Sequence, residues 1–146
     1  MRTTIVPEPA VIAEAARLLR SAAHPLILMG DGIAAAGAQA ELAEVADLAG
    51  AVVWGGNCSE VNMRASHPLF GGYLGHMFGA DSSPIISAAD VVLICGTTVL
   101  PEVFPALEGV FGENAKVIHF DLNTSEIAKN FPLTIGALAE PKATLA

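Results

Sequence analysis

Two patterns of apolar residues alternate along the chain. In residues 9–22 and 38–49, apolar side chains recur every three or four positions, which is the spacing of an amphipathic helix. Between such segments stand short runs that are apolar throughout, and the clearest is Val91–Cys95. A strand that is apolar on both faces indicates a parallel sheet, because the helices of parallel crossovers cover both of its sides.

The pattern predicts helices and strands in alternation. Helices are predicted at 9–22, 38–49, 82–89 and 124–130 and from about 139 onward, and strands at 26–29, 51–54, 90–96, 116–121 and 133–135. The glycine-rich stretch 55–80 is predicted to be a long irregular connection. We therefore expect a single α/β domain over residues 1–146, with three αβα layers, right-handed crossovers and a Rossmann-like parallel sheet of five or six strands.

Charge narrows the classes of partner. Charged residues make up 15% of the chain, against roughly 25% in an average globular domain, and such an uncharged surface suits packing against a neighbour. The net charge is −8 and the seven basic residues are scattered, which argues against nucleic acid and anionic membranes. No apolar run approaches the roughly 20 residues of a membrane span. Two isolated cysteines and no signal-peptide pattern favour the reducing cytoplasm.

The carboxyl ends of the predicted strands hold the candidate binding residues, since ligands of open parallel sheets bind there. These ends are Gly30-Asp31-Gly32, Gly55-Gly56-Asn57, Gly96-Thr97-Thr98 and Asp121-Leu122-Asn123. A nucleotide site is one interpretation and plain tight turns are the other, which we rank first. The spacing from Gly32 to Gly37 does not match the dinucleotide fingerprint, and no acid ends the second strand, so an NAD dehydrogenase is disfavoured.

No catalytic residue and no metal-ligand set is predicted. The four histidines lie on separate segments, and neither cysteine has a second cysteine nearby. Cys95 and His119 fall within predicted strands, where a core position is the simpler interpretation, and Cys58 is expected to be an inert thiol.

Residues 117–130 carry a family resemblance. The run from Val117 to Asn130 resembles the strand and helix that close the central domain of acetolactate-synthase-like, thiamine-diphosphate-dependent enzymes, with Asn123-Thr124 where that family has Asp-Pro. Residues 25–32, 67–71 and 89–96 resemble the same domain in the same order. The joint order makes chance agreement an unsatisfactory explanation.

The resemblance implies a parent chain of three domains. Thiamine diphosphate and Mg²⁺ would bind between its first and third domains in paired subunits, and this chain is similar to the second. It would then be a non-catalytic domain, flanked by catalytic domains, of a homo-oligomeric decarboxylase or carboligase acting on 2-keto acids. In some relatives this domain holds FAD or ADP, while in benzoylformate decarboxylases it holds neither. The matching positions for a nucleotide would be Gly30, Gly32, Gly96, Thr97, Asp121 and Asn123.

Two alternatives stay open. The first is a free-standing nucleotide-binding protein of the same fold. The second is direct binding of thiamine diphosphate and Mg²⁺, because Gly30-Asp31-Gly32 followed by Asn57 resembles the metal motif of the family's third domain. In that motif a second asparagine follows, whereas Cys58 stands here and is a poor ligand for Mg²⁺. The nascent helix at the end of the chain leads us to expect a piece of a longer protein.

Overall fold

A computed structural model describes residues 4–56, 58–74, 81–98 and 109–146. The helices are α1 (Pro9–Ser21), α2 (Gly32–Ala36), α3 (Gln39–Ala49), α4 (Ser83–Ser87) and α5 (Pro141–Leu145), and the strands are β1 (Pro25–Met29), β2 (Val52–Gly55), β3 (Phe70–Tyr73), β4 (Val91–Cys95), β5 (Lys116–Asp121) and β6 (Ile135–Leu138). Asn57, one of the residues named for the alternative metal site, lies outside the described residues.

The described strands form one sheet of six, and every neighbouring pair is parallel. Their order is β3-β2-β1-β4-β5-β6, so the direction of chain progress across the sheet reverses between β1 and β4. This is the strand order of doubly wound dinucleotide-binding folds, in which the ligand crevice lies at that reversal. The predicted Rossmann-like parallel sheet is confirmed.

Apolar residues of each central strand point alternately to two cores. One core joins Ile27 and Met29 of β1 to Leu42 of α3 and to the buried residues of α1. The other joins Leu26 and Leu28 to Ile86 of α4. Because both sheet faces are buried, the strands need to be apolar at consecutive positions, as the sequence pattern indicated.

Backbone requirements set where the helices begin and end. Pro9 starts α1, where its missing N–H costs no hydrogen bond, and Pro141 does the same for α5. Gly50 ends α3 in the left-handed conformation, with φ of 63°. The side chain of Glu140 accepts a 2.7 Å hydrogen bond from the Ala143 N–H and so caps α5.

Three sequence expectations were wrong in part. Residues 124–130 form successive turns rather than a helix, and Ala128 has a φ of 58°, which no right-handed helix accommodates. The last strand lies at Ile135–Leu138, later than the predicted 133–135. Strand β3 lies inside the stretch predicted to be irregular.

The first and last described segments meet at one corner of the sheet. The Glu140 N–H donates a 2.7 Å hydrogen bond to the carbonyl of Ile5. Glu140 follows β6, an edge strand, so the segment before α1 lies beside that edge. Within the described ranges, no helix is both long and apolar enough to cross a membrane.

Candidate functional site

The carboxyl ends of β1 and β4 touch through glycines. The Gly32 N–H donates a 3.0 Å hydrogen bond to the Gly96 carbonyl, and a Cβ built on Gly32 would lie 2.6 Å from the Gly96 Cα. A Cβ built on Gly30 would lie 2.4 Å from the Cβ of Thr97. Gly96 itself has a φ of 64°, a conformation that favours glycine. The structure thus brings Gly30, Gly32, Gly96 and Thr97 together at the reversal point.

Four backbone N–H groups at this edge are engaged within the protein. Those of Gly32, Ile33, Gly56 and Gly96 donate to backbone carbonyls at 2.8–3.1 Å. A phosphate bound at a glycine-rich loop normally uses such N–H groups as its donors. The glycines therefore act as joints between loops, and a nucleotide would have to lie against the outer side of this closed edge.

Asp31 anchors the loop that follows β2. Its carboxylate accepts hydrogen bonds from the N–H groups of Ser59, at 2.8 Å, and Glu60, at 3.0 Å, and from Nδ2 of Asn62, at 3.0 Å. These bonds, that of Asn62 first, lower the pKa of the Asp31 carboxyl. Both carboxylate oxygens are engaged, which favours a structural role for Asp31 over the alternative of a Mg²⁺ ligand.

Sequence reasoning missed Asn62. Its side chain is fully buried, and its Oδ1 accepts a 3.0 Å hydrogen bond from the Ala34 N–H at the start of α2. One amide thus fixes the loop after β1 and the loop after β2 to each other. Asn62 stands 31 positions after Asp31, in a stretch without periodicity, so the sequence carried no signal for the pair.

Asp121 and Asn123 lie at the carboxyl end of β5, next to β4. The Asp121 Oδ1 accepts a 2.7 Å bond from the Asn123 N–H, and the Asn123 Oδ1 accepts a 3.1 Å bond from the Ser125 N–H. Asn123 is exposed and Asp121 is half-buried. Leu122 and Leu138, the residue of β6 paired with Asp121, are both exposed large apolar side chains. This corner offers a carboxylate and apolar surface to a ligand.

Neither thiol is suited to nucleophilic chemistry. Burial raises the pKa of Cys95 to about 12, and its side chain has no exposed surface. Burial and then the charge of Asp31 raise the pKa of Cys58, whose Sγ donates to the Met29 carbonyl at 3.5 Å. Over the described ranges, no three His, Cys, Asp or Glu side chains come together in a way that could hold a metal ion.

Comparison with known proteins gives one consistent family. The family described as "Thiamine pyrophosphate enzyme, central domain" matches residues 12–146. Sulfoacetaldehyde acetyltransferase of Roseovarius nubinhibens is 36% identical over 133 residues, which are 88% of this chain and 22% of that protein. A probable acetolactate synthase large subunit of Methanococcus aeolicus is 28% identical over 97% of this chain and 24% of its own length.

Solved structures share the fold. The thiamine diphosphate-dependent 4-hydroxybenzoylformate decarboxylase of Rhodococcus jostii RHA1 superposes with a TM-score of 0.86 at 24% identity, over 99% of this chain and 27% of that one. The chain spans about a quarter of the length of the relatives it matches.

Proposed function

This chain belongs to the family of thiamine pyrophosphate enzyme central domains, and from that membership we propose that residues 1–146 form one non-catalytic domain of a larger enzyme. In the proposed parent, flanking domains bind thiamine diphosphate and Mg²⁺ and convert 2-keto acids by decarboxylation or carboligation, as in acetolactate synthase-like enzymes. We further propose that the parent is a cytoplasmic homo-oligomer. The relatives named acetolactate synthase and sulfoacetaldehyde acetyltransferase support the proposal of an acetolactate synthase-like parent.

One observation carries the proposed role: the closed joint between the loops after β1 and β4. Hydrogen bonds and glycine contacts fill the reversal point where a doubly wound fold otherwise opens toward its ligand. A rigid domain of this kind fixes the placement of the domains attached to it. The low charged fraction suits burial against such neighbours.

We also propose an adenine-nucleotide site, for FAD or ADP, on the β4–β5 half of the sheet. In a nucleotide-binding half, a glycine loop ends one strand and an acid about 20 residues later ends the neighbouring strand and binds the ribose. Gly96 and Asp121 have this relationship, because β4 and β5 are neighbours and 25 positions separate the two residues. Asp121 and Asn123 would bind the ribose. The edge formed by Gly30, Gly32, Gly96 and Thr97 would face the phosphates, and the N–H groups of Gly32 and Gly96 would stay bonded to carbonyls of the protein.

Calorimetric titration of the 146-residue chain with ADP and with FAD tests the nucleotide site. We expect Asp121→Ala to weaken binding on the order of tenfold, the worth of one hydrogen bond to a charged group. Asp47→Ala, which removes an exposed carboxylate on α3, is the matched control and should leave the affinity unchanged. If the two variants bind the nucleotide with equal affinity, the proposed ribose contact is rejected. If the unaltered chain gives no heat of binding with either nucleotide, the site itself is rejected.

A second titration, with thiamine diphosphate and Mg²⁺ together, tests the non-catalytic role. We expect no heat from this chain, because the parent's other domains would supply the ligands. Mg²⁺-dependent binding that is lost in Asp31→Ala would favour the alternative metal site instead. If the natural protein is 146 residues long and binds a nucleotide when purified, the result would favour the alternative of a free-standing nucleotide-binding protein.

A further inference from the structure

An apolar groove lies on one face of the sheet, between α1 and α3. Leu93 of β4 and Phe120 of β5 line it from the sheet, and its volume is about 250 Å³. All the side chains that α3 contributes to the groove are apolar, and the most exposed of them is Leu48, with 76% of its surface accessible. Because burial of apolar surface is favourable, a groove of this kind is suited to being covered by another segment.

The end of α5 forms one wall of the groove. Thr144, Leu145 and Ala146, the last three residues of the chain, all line it. The Ala146 N–H donates a 3.2 Å hydrogen bond to the carbonyl of Lys142, four residues back, as in an α-helix. No glycine or proline interrupts residues 142–146. The backbone of α5 is therefore helical up to the point where it meets the groove.

In the proposed parent, the chain would continue beyond Ala146. The family to which this chain belongs is described as a central domain, and the chain spans about a quarter of the length of the relatives it matches. A further helical turn would supply N–H donors to the carbonyls of Ala143, Thr144 and Leu145, since the last carbonyls of a helix have no partner within it. The backbone thus favours helical continuation of α5.

We propose that the residues directly after Ala146 in the parent enzyme extend α5 and fill the groove between α1 and α3, an inference that rests on the proposed function. The lining of α1 runs from Ile12 to Arg20, about 12 Å of helix at 1.5 Å per residue, so about eight added residues match its length. Since roughly 150 Å³ holds a benzene ring, the groove has room for about two apolar side chains. The added helix should carry apolar residues three, four and seven positions after Leu145.

The position of α5 favours this occupant over the others. A chain that continues from Ala146 starts at the wall of the groove. A second copy of the chain or a small molecule would have to compete with that segment for the same space.

A lengthened chain tests the proposal. Residues 1–146, followed by about 12 further residues of the parent, or about three helical turns, would contain the whole described sheet and both of its cores. Leu48→Ala should have little effect on the 146-residue chain, in which the side chain is exposed. In the lengthened chain it should reduce the ratio of folded to unfolded protein by roughly 5–30-fold, because the added helix then buries the side chain. Urea unfolding of the four proteins measures both effects.

Leu122→Ala is the matched control. Leu122 is also exposed, but it follows β5 at its carboxyl end and does not line the groove. This substitution should have the same effect in both chain lengths. NMR contacts between methyl groups of the added residues and those of Ile12 and Leu48 should appear in the lengthened chain, and light scattering should show a monomer.

Three results would overturn the proposal, and they differ in what else they remove. A reading frame that ends at Ala146 removes both the added helix and the parent enzyme, so the proposed function fails as well. If the reading frame continues but Leu48→Ala has the same effect in both chain lengths, the helix is rejected and the proposed function stands. A dimer of the lengthened chain that Leu48→Ala dissociates shows that a second copy covers the groove instead.

Discussion

Thr97 occupies the space that a side chain on Gly30 would need. The 2.4 Å between a Cβ built on Gly30 and the Thr97 Cβ is a distance that real side chains do not adopt. Thr97 is itself buried, and a Cβ on Gly56 would lie 3.0 Å from its Oγ1. The threonine side chain thus closes the joint between the loops after β1, β2 and β4.

We predict that Gly30→Ala lowers the free energy of unfolding by about 1–3 kcal/mol, because an overpacked joint has to shift. The measurement is urea unfolding followed by circular dichroism. In the double variant with Thr97→Gly, part of the lost free energy of unfolding should be regained, because the Thr97 Cβ that clashes is then absent. Gly37→Ala is the control: that glycine has a φ of 67° and nothing within 4 Å, so its cost is conformational and Thr97→Gly should not recover it. Strict additivity of Gly30→Ala and Thr97→Gly would contradict the contact.

Asp31 gives the domain a predictable dependence on acid. Its pKa is lowered in the folded state, so its contribution to stability is complete above its unfolded pKa and is lost as the pH falls through the lower, folded value. We predict that Asp31→Asn destabilises the chain by about 1 kcal/mol at pH 7, a modest figure because the carboxylate is partly exposed to solvent.

The difference between wild type and Asp31→Asn should begin to shrink below about pH 4, where the Asp31 carboxyl of the unfolded chain takes up a proton, and should keep shrinking as the pH falls toward the lower pKa of the folded state. Urea unfolding from pH 7 to pH 3 measures both quantities. Glu44→Gln removes an exposed carboxylate on α3 and should differ little from wild type at any of these pH values. A constant gap for Asp31→Asn across the range would show that its charge does not matter.

The two thiols should react in different ways. Cys58 is partly exposed, whereas Cys95 is buried with a pKa of about 12. We predict that a thiol reagent modifies Cys58 in the native chain, faster as the pH rises, and reaches Cys95 only through unfolding. Mass spectrometry of timed samples measures both, and Cys58→Ser isolates the slow thiol. Modification of Cys95 at the rate of Cys58, without urea, would be inconsistent with this core.

Helices and strands whose apolar residues follow a regular spacing could be predicted from the sequence. Strand β3 shows why an element without that spacing could not. Its sequence Phe-Gly-Gly-Tyr has the composition of a turn. The structure needs those glycines because the indole of Trp54 lies against them, and a Cβ on Gly71 would meet its Nε1 at 2.3 Å. A glycine required by a neighbouring strand cannot be told from a turn glycine in the sequence alone.

The prediction of a helix at 124–130 was wrong because, here too, composition did not decide the backbone conformation. Its composition suits a helix, yet Ala128 adopts a left-handed conformation and the Lys129 N–H bonds to the Glu126 carbonyl, three residues back. The sequence predicted that Asp121 and Asn123 lie at the carboxyl end of a strand, and that placement is confirmed. It could not link Asp31 to Asn62, because long-range pairs leave no periodic trace.

The hydrogen bond between Ile5 and Glu140 makes this domain easy to transfer as a unit from one protein to another. A segment whose first and last residues are joined by a hydrogen bond, as Ile5 and Glu140 are, needs little space between its two points of attachment. A host protein could therefore receive residues 5–140 in a surface loop, or lose them, without its own halves being forced apart. Chimaeras that swap this segment between related enzymes would then preserve the spacing of whatever lies on either side.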